Sequence, residues 1–192
     1  MKMKRILCIG DSNTWGYDPR SYFGSQYPRG VRWTSWLERA GWQVCNCGQN
    51  GMPVPEERML PTIKSLIRSK LPVTCMTIML GSNDLFEGST AEETAERMKL
   101  LLRAAAEAAP DTRILLIAPP VMRPGEWVRS EKIMEESRKL AECYRKLAER
   151  EGVAFADAEE WGIELCFDGA HFTEDGHRAF AEELKEMLDK SL

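Results

Sequence analysis

The chain has 192 residues, 43% of them hydrophobic and 29% charged, with a formal net charge of −4. That length suits one domain spanning residues 1–192 with a sizeable core, and no apolar run approaches the ~20 residues that cross a bilayer, so no membrane partner is expected. Acidic and basic residues are interspersed without a basic face, which argues against nucleic acid and leaves a small molecule as the expected partner.

The start, Met1-Lys2-Met3-Lys4-Arg5, is basic, but the apolar stretch behind it runs only from Ile6 to Ile9 before Gly10. It is too short for a secretory signal and reads as a first strand over 5–9. A short helix is expected over 33–40, ending at Gly41, then a strand over 43–47 and a helix over about 56–69. Further strands follow at 74–80, 113–118 and 153–157, several of them nearly all apolar, as strands buried on both faces are. Ala95, Met98, Leu102 and Ala105 recur at helical spacing, as do Ile133, Leu140, Tyr144 and Leu147, and later Phe180, Leu184 and Met187. Thr90 with Glu93 offers a capping box, and Thr173 can cap the last helix. Short strands alternating with long helices predict a five-stranded parallel sheet covered on both faces.

Six cysteines stand at positions 8, 45, 47, 75, 143 and 166, four of them in apolar strand-like segments or on a helix face, where a free thiol acts as a small hydrophobe. A reducing, cytoplasmic setting is expected. Cys45-x-Cys47 has no second His/Cys pair at ligand spacing, so structural thiols are expected rather than a metal centre.

The loops 10–32, 48–55, 81–89, 119–130 and 161–172 each follow a strand, so all five should emerge at the carboxyl edge of the sheet, where open α/β folds place their sites. The first begins Gly10-Asp11-Ser12-Asn13-Thr14-Trp15-Gly16. Its serine sits at a strand-to-turn junction, but Gly-Asp-Ser alone is also an ordinary turn, and a serine nucleophile needs a positioned base. The chain has two histidines. His171 lies on the last of these loops with Asp168 three positions before it, a spacing that lets a carboxylate orient the imidazole, and Asp157 is the fallback orienter. His177 stands among Asp175, Gly176 and Arg178 and is expected on the solvated surface. Acyl transfer also needs donors where charge develops on the carbonyl oxygen. The 48–51 turn can bring in a backbone N–H and Asn83 can present its carboxamide.

Four blocks then fall into an order and spacing that resembles the SGNH (GDSL) hydrolases over almost the whole chain. Gly10-Asp11-Ser12 looks like the nucleophile block, Asn46-x-Gly48-x-x-Gly51 like the glycine block, Gly81-x-Asn83-Asp84 like the asparagine block and Asp168-x-x-His171 like the acid-and-base block. A closer likeness is to the arylesterase/acyltransferase branch, in which Gly-Asp-Ser-x-Thr-Trp-Gly is followed by a segment like Val31-Arg32-Trp33-Thr34. The resemblance implies a flavodoxin-like three-layer α/β/α fold and a serine esterase with no metal or organic cofactor. It further implies a catalytic set of Ser12, His171 and Asp168, with the Ser12 and Gly51 N–H groups and the Asn83 amide as oxyanion hole.

Substrate choice falls to the rims. The segment 17–32 carries Tyr17, Tyr22, Phe23, Tyr27, Arg20, Arg29 and Arg32, and 119–130 adds Met122, Arg123 and Trp127. Trp15, Arg32 and Trp127 are the candidates for holding substrate, a short acetyl-type ester of a sugar or aryl alcohol, since such a rim can stack on rings. Exposed aromatics equally suit a subunit interface, so a homo-oligomer is also among the expectations. Two rival readings use the same residues: a non-catalytic carbohydrate-binding relative, and a metal-dependent phosphoesterase holding a cation with Asp11, Asn83, Asp84 and His171.

Overall fold

A computed structural model describes residues 4–191. Met1 to Met3, part of the basic start, lie outside the described residues. Five strands, β1 (Arg5–Gly10), β2 (Gln43–Gly48), β3 (Cys75–Met79), β4 (Arg113–Ala118) and β5 (Ala154–Asp157), form one sheet in the order β2-β1-β3-β4-β5. Every neighbouring pair is parallel. The helices are α1 (Ser12–Trp15), α2 (Trp33–Arg39), α3 (Leu60–Lys70), α4 (Ser82–Phe86), α5 (Ala91–Ala108), α6 (Glu131–Glu151) and α7 (Glu174–Ser191).

Side chains alternate across the sheet, and the two sets feed two cores. Leu7, Ile9, Met76, Ile78 and Leu116 pack under α3, α5 and α6, whose apolar stripes include Ile63 and Ile67, Met98 and Leu102, and Leu140 and Leu147. Ile6, Cys8, Leu115 and Ile117 face the other way, onto Trp33 and Leu37 of α2 and Phe180, Leu184 and Leu188 of α7. The result is the expected three-layer α/β/α sandwich. Both reciprocal bonds of the Thr90–Glu93 capping box form, and the Thr173 hydroxyl accepts the Gly176 N–H.

The helix expected over 56–69 is divided. A 3₁₀ turn covers Glu57–Met59, and α3 starts afresh at Leu60 because Pro61, lacking an N–H, fits a first helical turn and not an interior. Cys8 and Cys75 are buried, all six cysteines are free thiols, and burial pushes the Cys75 thiol up to about 12. No described helix is long and apolar enough to cross a membrane.

The chain runs from β1 outward to β2, then back across to β3, so connections leave in opposite directions on either side of the gap between β1 and β3. That switch point opens a crevice at the carboxyl ends of these strands.

Candidate active site

Ser12 is the first residue of α1, which starts as soon as β1 ends. Its N–H has no carbonyl one turn back to receive it, so it is a donor available at the sheet edge. The turn lies very close to the strand ends. Gly10 and Gly48 are register partners, and a Cβ on Gly48 would stand 2.3 Å from the Trp15 nitrogen. Two adjacent glycines let α1 settle over β1 and β2. Asp11 caps the turn by accepting the Asn13 N–H at 3.0 Å. Burial raises its carboxyl to about 6, against the pull of that N–H and of His171.

His171 and Asp168 arrive on the loop after β5, at the far side of the sheet. The His171 Nε2 lies 2.9 Å from Ser12 Oγ, and its Nδ1 lies 2.6 Å from Asp168 Oδ2. The other Asp168 oxygen accepts the backbone N–H groups of Ala170 and His171, each at 3.0 Å. Burial pushes this carboxyl up, but the His171 side chain and the two N–H groups outweigh it and hold Asp168 below the ordinary value. An ionised carboxylate only accepts, so the Nδ1 must carry the hydrogen and the Nε2 lone pair faces the serine hydroxyl. All three side chains are buried. Asp157, the fallback orienter, accepts the Glu159 N–H instead.

The loop after β4 supports this arrangement. Arg123, Glu126 and Trp127 donate their N–H groups to the carbonyls of Gly169, Phe167 and Asp168 at 2.9, 3.1 and 3.1 Å. The contact is too close for a side chain at Gly125, where a Cβ would meet the Asp168 carbonyl carbon at 2.3 Å. The pairing places the Trp127 ring edge-on to the His171 ring at 5.0 Å between centroids, and Tyr17 lies on the imidazole at 4.6 Å. Tyr17 is buried, whereas Trp127 is half exposed.

Asn83 stands in α4, after β3. Its Nδ2 donates to the Met52 carbonyl at 3.1 Å, beside Gly51, which turns through φ +72°. A carboxamide nitrogen has two hydrogens, so one remains for a ligand. Asp84 fastens the same loop by accepting the Val54 N–H at 2.9 Å, and its other oxygen pairs with Arg97 at 2.7 Å. Ser12 and Asp168 are thus joined through His171, and Gly51, on the loop after β2, is tied through Met52 to Asn83 of α4 at the same edge.

Other expectations divide. Among the described residues no three His, Cys, Asp or Glu side chains gather as a metal-ligand set, and with Asp84 committed to Val54 and Arg97, the Asp11, Asn83, Asp84, His171 cation site is not formed. Arg32 donates its Nε to the Tyr27 carbonyl at 2.8 Å, bracing its own loop, and Trp15 is partly buried with its carbonyl accepting from Gln26. Tyr27 is buried and Met122 too, while Tyr22 and Phe23 stand almost fully exposed at a loop tip.

His177 is not a surface residue. It is completely buried, at helical spacing with Phe180, Ala181, Leu184 and Leu188, and its ring lies edge-on to Tyr27 and Phe172. Its Nδ1 accepts the Trp33 N–H, and its Nε2 has no partner. Burial lowers its pKa to about 3. The unfolded chain, titrating near ~6.5, therefore binds a proton that the native state refuses. Stability from this group is full above that value and is lost as pH falls toward 3. Between pH 7 and 5 the native protein should lose about 2 kcal/mol more than His177→Gln in urea unfolding. Equal losses in the two proteins would show that His177 does not titrate in this way.

The sequence profile of the GDSL-like lipase/acylhydrolase family matches residues 8–179. The chain belongs to that family and is a carboxylic ester hydrolase. Among solved structures it is similar to the M. smegmatis aryl esterase, at 28% identity over 98% of this chain and 100% of that one, with a TM-score of 0.85. It is also similar to a carbohydrate acetylesterase family member from Sinorhizobium meliloti, at 25% identity over 97% of each chain and a TM-score of 0.85. Est24, a carbohydrate acetylesterase from Sinorhizobium meliloti, shares the fold at 24% identity over 98% of this chain and 100% of that one, with a TM-score of 0.86. No curated protein matches the chain by sequence.

Proposed function

We propose that the protein is a serine esterase for short acyl esters of ring-bearing alcohols, with Ser12 as nucleophile, His171 as general base and Asp168 as its orienter. The observation that carries this reading is the 2.9 Å approach of Ser12 Oγ to an imidazole Nε2 whose Nδ1 is held by a carboxylate. Ser12 Oγ attacks the ester carbonyl carbon as its proton passes to Nε2, and the carbonyl electron pair moves onto oxygen. The Ser12 and Gly51 N–H groups and the second Asn83 Nδ2 hydrogen receive that oxyanion. Collapse expels the alcohol, which takes its proton from Nε2 and leaves an acyl-serine. Water then repeats the sequence and frees the carboxylic acid.

The leaving oxygen must collect its proton at Nε2, so the alcohol part of the substrate lies against whatever flanks the imidazole. Tyr17 and Trp127 flank it, and the half-exposed indole offers a flat face to an aryl or sugar ring. The descriptions of the similar structures as an aryl esterase and a carbohydrate acetylesterase support the same choice. Among the described residues no long apolar segment is available to cover an extended chain, which favours acetyl-type groups.

Intact mass after fluorophosphonate treatment tests the assignment. One adduct is expected on the native protein and none on Ser12→Ala. An unmodified native protein would overturn the nucleophile, and faster turnover of long-chain than of acetyl phenyl esters would overturn the acyl preference alone.

A further inference from the structure

We propose that Asn13 is the positioning residue that keeps the Ser12 turn and the His171 loop in register, by a carboxamide that holds the backbone on both sides of His171. The inference rests on the assignment of Ser12 and His171 above. The Asn13 Nδ2 donates to the Ala170 carbonyl at 3.1 Å, and its Oδ1 accepts the Phe172 N–H at 3.0 Å. These are the residues immediately before and after His171, 157 and 159 positions along the chain from Asn13.

The backbone of Asn13 is equally committed. Its N–H goes to Asp11, and its carbonyl accepts the Trp33 indole N–H at 3.0 Å. The side chain is buried and follows Ser12 directly, so nothing flexible separates the clamp from the nucleophile. The Asp168–His171 pair, in contrast, lies within one loop, three residues apart, and can form without α1. The Ser12–His171 contact has no such local support, being one hydrogen bond between residues 159 positions apart. A carboxamide suits the task because it offers one donor and one acceptor side by side, pairing with a carbonyl and an N–H as a neighbouring strand would.

Asn13→Leu keeps the branched outline of the side chain but leaves both backbone groups without their partner. It should lower kcat on phenyl acetate by about 10²-fold, the cost of a reacting group displaced by about an ångström, with KM little changed. Fluorophosphonate labelling of Ser12 should slow in parallel. The downfield proton resonance of the His171–Asp168 bond should persist, because that pair does not depend on Asn13. Asn13→Asp gives a signature that loss of packing would not. Its ionised carboxylate cannot donate to Ala170, whereas the protonated carboxyl both donates and accepts as the carboxamide does. Activity relative to the native enzyme should therefore rise as pH falls. The titratable groups around this position, Asp11, Asp168, His171 and His177, are present in both proteins, so the new carboxyl is the titrating group by which the two differ.

A folded Asn13→Leu with kcat within twofold of native would overturn the proposal. So would a ratio for Asn13→Asp that stays flat or falls toward acid, and this second readout decides the matter if the leucine variant does not fold. Full activity in Ser12→Ala would instead overturn the assignment on which the clamp rests.

Discussion

Asp168→Asn is expected to lower kcat by about 10⁴-fold while the protein stays folded. The reason lies in how the carboxylate is used. One oxygen accepts the Ala170 and His171 N–H groups, and the other accepts the imidazole Nδ1–H. An asparagine must keep its oxygen toward the two backbone donors, which turns its NH₂ toward Nδ1. The imidazole then has to accept at Nδ1 and carry its hydrogen on Nε2, facing Ser12. The hydroxyl loses the lone pair that would take its proton, although no atom has moved far. Single-turnover acetylation of Ser12 and the thermal midpoint together test this. A fall in acetylation with the midpoint nearly unchanged is expected, and a loss of less than tenfold would show that Asp168 does not set the tautomer.

The strands were the most legible part of the chain, and for a physical reason. Strands 5–9 and 113–118 lie inside a sheet covered on both faces, so each appears as an arginine followed by an unbroken apolar run that stops at Gly10 or Pro119. Helices α1 and α4 span four and five residues, too few to display a period in the sequence. His177 misled because its immediate neighbours are Gly176 and Arg178. Only its three- and seven-residue spacing to Phe180 and Leu184 places it on the buried stripe.

The candidate site was legible where it depends on residue type and unread where it depends on who meets whom. Ser12, Asp168 and His171 each carry the functional group their chemistry needs, and each sits beside a predicted strand end or helix start. Asn13 looks like any turn residue in sequence. Its partners lie more than 150 positions away, and nothing local announces them. Tyr17 and Tyr27 illustrate the same limit, since both come from one aromatic-rich segment. Tyr17 lies on the His171 imidazole, while Tyr27 is buried with its hydroxyl on the Phe172 carbonyl. The aromatic content of that segment was plain, but the division between site and core depends on how the loop folds back.

Asn83→Ala is expected to lower kcat by about 10²–10³-fold and to leave KM near its native value. The asymmetry follows from when its free amide hydrogen acts. In the proposed role it meets a neutral carbonyl oxygen before attack, where its loss matters little, and a full negative charge after attack, beside the buried Ser12 and His171 side chains. The substitution also removes the bond to the Met52 carbonyl, which helps to hold Gly51. The loop keeps a second tether, because the Val54 N–H remains on Asp84 and Asp84 remains on Arg97. The protein should therefore fold, and most of the loss should be that of the donor. Arg97→Met supplies the complementary case, loosening the carboxylate that holds the loop while the amide stays in place. Steady-state kinetics on phenyl acetate for both variants separate the two contributions, with the larger fall in kcat expected for Asn83→Ala. If Asn83→Ala raises KM and spares kcat, then Asn83 holds the substrate equally before and during reaction, and the oxyanion must be received by the backbone N–H groups of Ser12 and Gly51 alone.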